Sequence, residues 1–293
     1  MTGFSATADG NTHAFLWSDG VMRDLDPDGQ APLSCTCYPP RINSAGHVIW
    51  TGTTPQGSSR AFLWRDGMFT ELGAIGGAGS SSTAALNDED QVVGYSNRHP
   101  FLWDEGTMQD LGWLGGSAAA VDINNRGQVV GTSNTAMLYR HGFFWEDGQM
   151  TDLGTLSGDN EASAVGINAL GRVVANSWRM SVVERWRPFV WQQGILLPLS
   201  PTYQTDPDQR ALAINNRGLI VGNGLNGDRP WVWEDGVMWE LGALGAWRTV
   251  ATAINAQGDV AGWSYTTAPV TELRDHAVLW RRTTAPVAAL PSR

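Results

Sequence analysis

The sequence predicts an all-β chain, a seven-bladed β-propeller with four-stranded antiparallel blades, in which residues 1–293 form a single domain. Three observations carry this. A segment ending in tryptophan recurs seven times, a hairpin signal precedes each recurrence after the first, and 35 Gly and 15 Trp accompany only 16 % charged residues. Such a composition suits many short strands joined by tight turns, and 42 % apolar content is enough to build a core.

The tryptophan segments are HAFLW (13–17), RAFLW (60–64), HPFLW (99–103), HGFFW (141–145), RPFVW (187–191), RPWVW (229–233) and HAVLW (276–280). Their final residues, Trp17, Trp64, Trp103, Trp145, Trp191, Trp233 and Trp280, stand 47, 39, 42, 46, 42 and 47 positions apart. A period of this size marks a repeat architecture, in which each unit buries its apolar face against its neighbours.

Each repeat reads as four strands. Strand A ends in Ile-Asn, and a turn such as Asn-Arg-Gly leads into strand B, of the type Val-Val-Gly-x-Ser. Strand C is the tryptophan segment, and after a Glu-Asp-Gly turn comes strand D, as in Met150-Thr-Asp-Leu-Gly154. Glycine in these turns supplies the positive φ that a tight hairpin needs. Strand A, rich in Ala and Ser, suits the crowded innermost position, and strand C, apolar on both faces, suits a middle strand between neighbouring blades. A stacked solenoid is the alternative reading of the same period. The first repeat opens at strand B with Gly3-Phe-Ser5, while Pro286 to Arg293 supplies a D-like strand. Either blade one has three strands, or its start is truncated, or the terminal Leu-Pro-Ser-Arg closes the ring.

The recurring His-Ala-Phe-Leu-Trp, Asp-Leu-Gly and Ile-Asn-x-x-Gly-x-Val-Val-Gly elements resemble those of the HAF-repeat family of bacterial proteins, and the resemblance covers nearly the whole chain. It implies a repeat fold without implying an activity. Members are often extracellular, whereas the opening Met1-Thr-Gly-Phe-Ser lacks the basic and apolar regions of a signal peptide. Cys35 and Cys37 are too few for a disulfide framework, and the expectation is a cytoplasmic protein.

A formal charge of −10, from 19 basic and 29 acidic residues, argues against nucleic acid or an anionic membrane as partner. No run of about eighteen apolar residues, the length of a spanning helix, is present. The expected partner is a small molecule or peptide bound by a monomer, with no cofactor.

In a propeller blade the A–B and C–D turns lie on one face, and the B–C and D–A connections on the other. The first set is short and stereotyped, and the second varies in length and composition, as recognition loops on a rigid scaffold do. The variable set carries the candidate ligand-binding residues: Tyr38, Arg41, Trp113, Trp178, Trp186, Arg187, Tyr203, Arg210, Trp247, Arg248, Tyr265 and His276. Aromatic and Arg side chains are the types enriched at binding hot spots. The opposing reading is that the tryptophans cover blade edges.

Dedicated chemistry is sparse. Cys35-x-Cys37 lacks the further ligands of a zinc site, and no metal site is expected. The Asp-Gly turns lack the full calcium-loop pattern. Glu161 with Asp206 or Asp208 offers the two carboxylates of acid–base catalysis, on separate loops. No nucleophile elbow, phosphate loop or dinucleotide fingerprint occurs. Two functions follow: a binding propeller, favoured by the missing catalytic constellation, or a lyase, hydrolase or cyclase acting on a natural product at the same face.

The residue opening each C strand is basic: His13, Arg60, His99, His141, Arg187, Arg229 and His276. Opposite, at the third position of strand D, stand Asp24, Glu71, Asp110, Asp152, Pro198, Glu240 and Ala289. These positions lie diagonally across a tight hairpin, which predicts a cross-strand pair in five blades. Arg187 and His276 lack the standard acid, and are expected to bond to variable-loop groups such as Glu184 or Asp275, or to a bound anion.

Overall fold

A computed structural model of the chain describes residues 1–8, 10–29, 39–54, 56–180, 185–199, 208–224, 229–245, 248–266 and 275–282. All of its described elements are β-strands, arranged as seven antiparallel sheets, a seven-bladed β-propeller. The chain divides into two compact units, Met1–Tyr139 with Phe143–Asp152, and Arg140–Gly142 with Leu153–Arg293.

In the first unit, blade 1 is β1 (Thr2–Ala6), β2 (Thr12–Ser18) and β3 (Val21–Asp24). Blade 2 is β4 (Arg41–Ile42), β5 (Val48–Thr53), β6 (Ser59–Arg65) and β7 (Met68–Glu71). Blade 3 is β8 (Ser81–Leu86), β9 (Val92–Ser96), β10 (His99–Asp104) and β11 (Thr107–Asp110). Blade 4 is β12 (Gly115–Ile123), β13 (Val129–Thr135), β14 (Arg140–Glu146) and β15 (Gln149–Asp152).

In the second unit, blade 5 is β16 (Glu161–Ile167), β17 (Val173–Trp178), β18 (Arg187–Gln192) and β19 (Ile195–Pro198). Blade 6 is β20 (Arg210–Ile214), β21 (Ile220–Asn223), β22 (Pro230–Glu234) and β23 (Val237–Glu240). Blade 7 is β24 (Thr249–Ile254), β25 (Val260–Tyr265) and β26 (Asp275–Trp280). Among the described residues blade 1 therefore has three strands. The D-like strand expected over 286–293 lies outside the described residues, as do Cys35 and Cys37.

The cores lie between neighbouring sheets. Ile49 and Leu63 of blade 2 pack with Val92, Phe101 and Trp103 of blade 3, and Val174 and Val190 of blade 5 pack with Ile220, Trp231 and Trp233 of blade 6. Strand C is buried on both faces for this reason: Phe101 is fully buried on one side and Leu102 nearly so on the other.

The recurring turn residues have separate mechanical roles. At the C–D hairpins Asp19-Gly20, Asp66-Gly67, Asp147-Gly148 and Asp235-Gly236 all have positive φ at both positions, the two-residue type I′ geometry that matches the strand twist. At the A–B hairpins the asparagine organises the turn and reaches the next blade. Asn215 Oδ1 accepts the N–H groups of Arg217 and Leu219, each at 3.0 Å, while its Nδ2 donates to the carbonyl of Asn255 at 2.9 Å. The same step joins Asn43 to Asn87, Asn87 to Asn124, and Asn168 to Asn215. Sequence marked this residue as the end of strand A; its inter-blade bond became visible only in three dimensions.

In blades 3 and 6 the glycine in the middle of strand B lies against a bulge in strand A, where blade 5 carries Ala175 against the same bulge. A Cβ on Gly94 would fall 2.0 Å from the carbonyl oxygen of Ser82, and one on Gly222 would fall 2.3 Å from that of Arg210. Register shifts at Thr83/Ala85 and Ala211/Ala213 lie beside these points. Blade 2 carries Trp50 there instead. Its strand A is only Arg41–Ile42 and pairs with Ile49 and Val48, so no bulge opposes Trp50, which stacks on Phe62 at 5.5 Å.

Predicted cross-strand pairs are present in blades 1, 2, 3 and 6: His13–Asp24 at 3.0 Å, Arg60–Glu71 at 3.0 Å, His99–Asp110 at 2.7 Å and Arg229–Glu240 at 2.5 Å, and His141 and Asp152 of blade 4 are each engaged as well. The aspartates also turn the chain, since Asp24 accepts the N–H of Asp26 and Asp110 that of Gly112. That second bond explains an Asp just before Leu-Gly.

Candidate functional site

In the second unit the variable connections bring together residues from blades 5 and 6. Glu161 opens β16 and faces Trp178, the last residue of β17, across the ladder. Trp178 stacks on Trp186, with ring centroids 3.9 Å apart and planes 24° from parallel. The guanidinium of Arg210 lies 4.2 Å over the same Trp186 ring. Two groups this close cannot share one side of an indole, so Trp186 is sandwiched between them.

Backbone bonds fix this stack. The N–H of Trp186 donates to Asp208 Oδ1 at 3.2 Å, and the N–H of Gln209 donates to the carbonyl of Trp186 at 3.0 Å. Asp208 Oδ1 also lies 3.8 Å from Arg210 Nε. Asn160 Oδ1 accepts the N–H of Met180, which ties the preceding connection to the residues after Trp178.

Arg187 lacks a carboxylate on its own strand D, and its guanidinium turns to the loop between blades 4 and 5. Nε donates to Asp159 Oδ2 at 3.0 Å, and Nη2 donates to the carbonyl of Ser157 at 2.9 Å. Asp159 is buried and also accepts Ser177 Oγ at 2.8 Å. The expectation of a variable-loop partner therefore holds for Arg187, although the partner is Asp159. Glu184 lies outside the described residues, and so does the side chain of Asp275. His276 is an exposed residue of β26, paired with Ser264 across the ladder.

Three buried polar atoms in this group have no hydrogen-bond partner among the described residues: Glu161 Oε1, Trp186 Nε1 and Gln209 Oε1. Glu161 is 2 % exposed and Gln209 8 %, while the other oxygen of Glu161 accepts the N–H of Arg140 at 2.7 Å. Buried polar groups are ordinarily paired, so each of these atoms is left unsatisfied.

The remaining candidates are more dispersed. Trp178 departs from expectation: it belongs to β17 instead of the following loop, and only 4 % of its surface is exposed. The faces of Trp178 and Trp186 meet each other, so edges and polar atoms provide the open chemistry. Trp113 is 49 % exposed and meets His99 edge-on at 4.5 Å. Arg248 lies 5.5 Å over Trp263, which meets Tyr265 edge-on, forming a smaller cluster on blade 7. Arg41 is an exposed residue of β4. Tyr38, Tyr203, Trp247 and Asp206 lie outside the described residues. Sequence reasoning passed over Gln209, whose residue type carries no signal and whose importance comes from its burial beside Trp186.

The first unit holds a different concavity on the face of the A–B and C–D turns, a groove of about 440 Å³ lined by Leu16, Trp17, Arg23, His47, Trp64 and Asp66 among others. His47 is tied there to the next blade, with Nδ1 2.6 Å from Asp90 Oδ1. Among the described residues no group of three His, Cys, Asp or Glu side chains could hold a metal ion, and no helix is long and apolar enough to cross a membrane.

No family model and no curated protein matches the chain. Solved structures do. A puromycin-hydrolyzing peptidase from Mycobacterium tuberculosis is 13 % identical, with a TM-score of 0.61 over 100 % of this chain and 54 % of that one. An acylaminoacyl peptidase from Pyrococcus horikoshii is 11 % identical, with a TM-score of 0.55 over 94 % of this chain and 48 % of that one. This chain thus spans about half the length of those peptidases, and at such identities the likeness is one of fold alone. A six-bladed lectin from Aleuria aurantia matches at 12 % identity over 85 % of this chain and 96 % of that one, with a TM-score of 0.39 too low to build on.

Proposed function

We propose that this chain is a ligand-binding propeller that recognises a small molecule or peptide on its variable-loop face, at the group formed by Glu161, Trp186, Gln209 and Arg210. The resemblance of its repeats to the HAF-repeat proteins belongs to the same proposal. One observation carries the reading: Trp186 of the stack, Gln209 whose N–H bonds its carbonyl, and Glu161 which faces Trp178 across the ladder each keep a buried polar atom without a partner among the described residues. A scaffold of this kind orders its contact groups before the ligand arrives, which lowers the cost of binding. Catalysis by paired carboxylates is less favoured, because Asp208 is already engaged by the Trp186 N–H and by Arg210.

The test is incubation of the pure protein with a metabolite extract, followed by mass analysis of what is retained and what has changed. A retained, unaltered compound supports binding, and a new mass would replace this reading with an enzymatic one. Trp186→Ala should weaken retention by about 1–3 kcal/mol, the range of a hot-spot aromatic. Retention unchanged in that variant would remove the site from this group.

A further inference from the structure

The charges of the group do not balance. Its two guanidiniums each have a carboxylate, Arg187 with Asp159 and Arg210 with Asp208. Glu161 is a third carboxylate. It has no cation within ion-pair distance among the described residues, and Arg140 reaches it only through a backbone N–H. Seven buried side-chain polar atoms lack a partner among the described residues, and Glu161 Oε1 is the only carboxylate oxygen of the seven.

A carboxylate taken out of water is costly unless a positive group or several donors meet it. One backbone N–H on Oε2 supplies only part of that. Gln209, whose backbone N–H bonds the Trp186 carbonyl, carries in its Oε1 a second buried acceptor lacking a donor among the described residues. Unmet acceptors exceed unmet donors here, two to the one indole N–H of Trp186. The aromatic edges around them suit the carbon skeleton of a ligand.

Resting on the reading of this group as the binding site, we infer that its ligand carries a protonated amine, which pairs with Glu161 Oε1. An ammonium brings to that oxygen both a hydrogen-bond donor and the opposite charge. A neutral alcohol of the same skeleton offers one donor and no charge. The site should separate the two.

The experiment titrates the full chain at neutral pH with matched pairs of probes, an alkylamine or arylalkylamine and the alcohol of the same skeleton. Phenethylamine with 2-phenylethanol is the first pair, and intrinsic tryptophan emission and calorimetry are the readouts. Amines should saturate at concentrations at least tenfold lower than their alcohols. Glu161→Gln should reduce that preference to about threefold or less, and Glu161→Asp should keep part of it. If Glu161→Gln does not fold, the comparison of amine and alcohol on the unaltered chain still decides.

Equal affinity for amine and alcohol, an amine preference that survives Glu161→Gln, or no saturation by any amine would overturn the inference. Failure of the binding reading itself is distinguishable. Neutral probes that bind in a Trp186-dependent way leave the site standing and remove only its cation selectivity. An extract from which nothing is retained removes the site.

Discussion

Replacing Asn215 by alanine tests whether the asparagine steps hold adjacent blades together. The substitution removes three hydrogen bonds: the acceptor for Leu219 N–H, which is buried, the acceptor for Arg217 N–H, and the donor to the Asn255 carbonyl. Leaving a buried main-chain donor unmet costs about 1–3 kcal/mol, and each of the two part-buried bonds adds about 0.5–1.5 kcal/mol, so a loss of about 2–6 kcal/mol is expected. Asn216 provides the control. Its Oδ1 accepts only the exposed Ala169 N–H at 2.8 Å, and Asn216→Ala should cost under about 1 kcal/mol. Equilibrium urea unfolding, followed by tryptophan emission and circular dichroism, reads both variants, and equal slopes would make the midpoints comparable. An Asn215→Ala variant within about 0.5 kcal/mol of the unaltered chain, or no less stable than Asn216→Ala, would refute the reasoning.

Arg187→Ala strands Asp159, whose side chain is 2 % exposed, and should cost about 3–5 kcal/mol by thermal or urea unfolding. Arg229→Ala, which removes a pair 67 % and 57 % exposed, should cost at most about 1 kcal/mol, and equal losses would contradict this. Gly94→Ala forces a Cβ against the Ser82 carbonyl and should destabilise by about 1–3 kcal/mol, whereas Ala175→Gly at the matching position of blade 5 should cost about 0.5–1 kcal/mol, both read as unfolding midpoints. Hydrogen bonds from Ser44 Oγ, the Ser44 N–H and Asn125 hold the Asp88 carboxyl below its usual range. A depressed value means that its stabilisation is present above the unfolded value of about 3.9 and is lost as pH falls through the folded one. The stability difference between the unaltered chain and Asp88→Asn should therefore shrink in acid titration below about pH 4, and a constant difference would refute it.

Much of the fold was legible because strand pairing is local. Each blade is a meander whose strands are joined by short turns, so a two-residue Asp-Gly turn and an alternating apolar segment specify their own neighbours. The spacing of His13 and Asp24, or of Arg60 and Glu71, fixed their diagonal contact, since hairpin register leaves no freedom in it. The residue opening strand C in blade 5 was identifiable as the exception once Pro198 replaced its acid.

What only the tertiary structure decided lies between blades. Asp159 as partner of Arg187 and the Arg210 guanidinium over Trp186 join residues from different connections, at separations that no turn chemistry sets. Trp178 looked like a loop aromatic and proved to end a strand with its face covered, because burial depends on what the next connection lays against it. The asparagine of each A–B turn was visible as a turn residue, whereas its donation to the neighbouring blade depends on how adjacent sheets are offset. Hydrogen bonds within a hairpin follow from sequence distance, but bonds between sheets follow from packing, which sequence distance does not record.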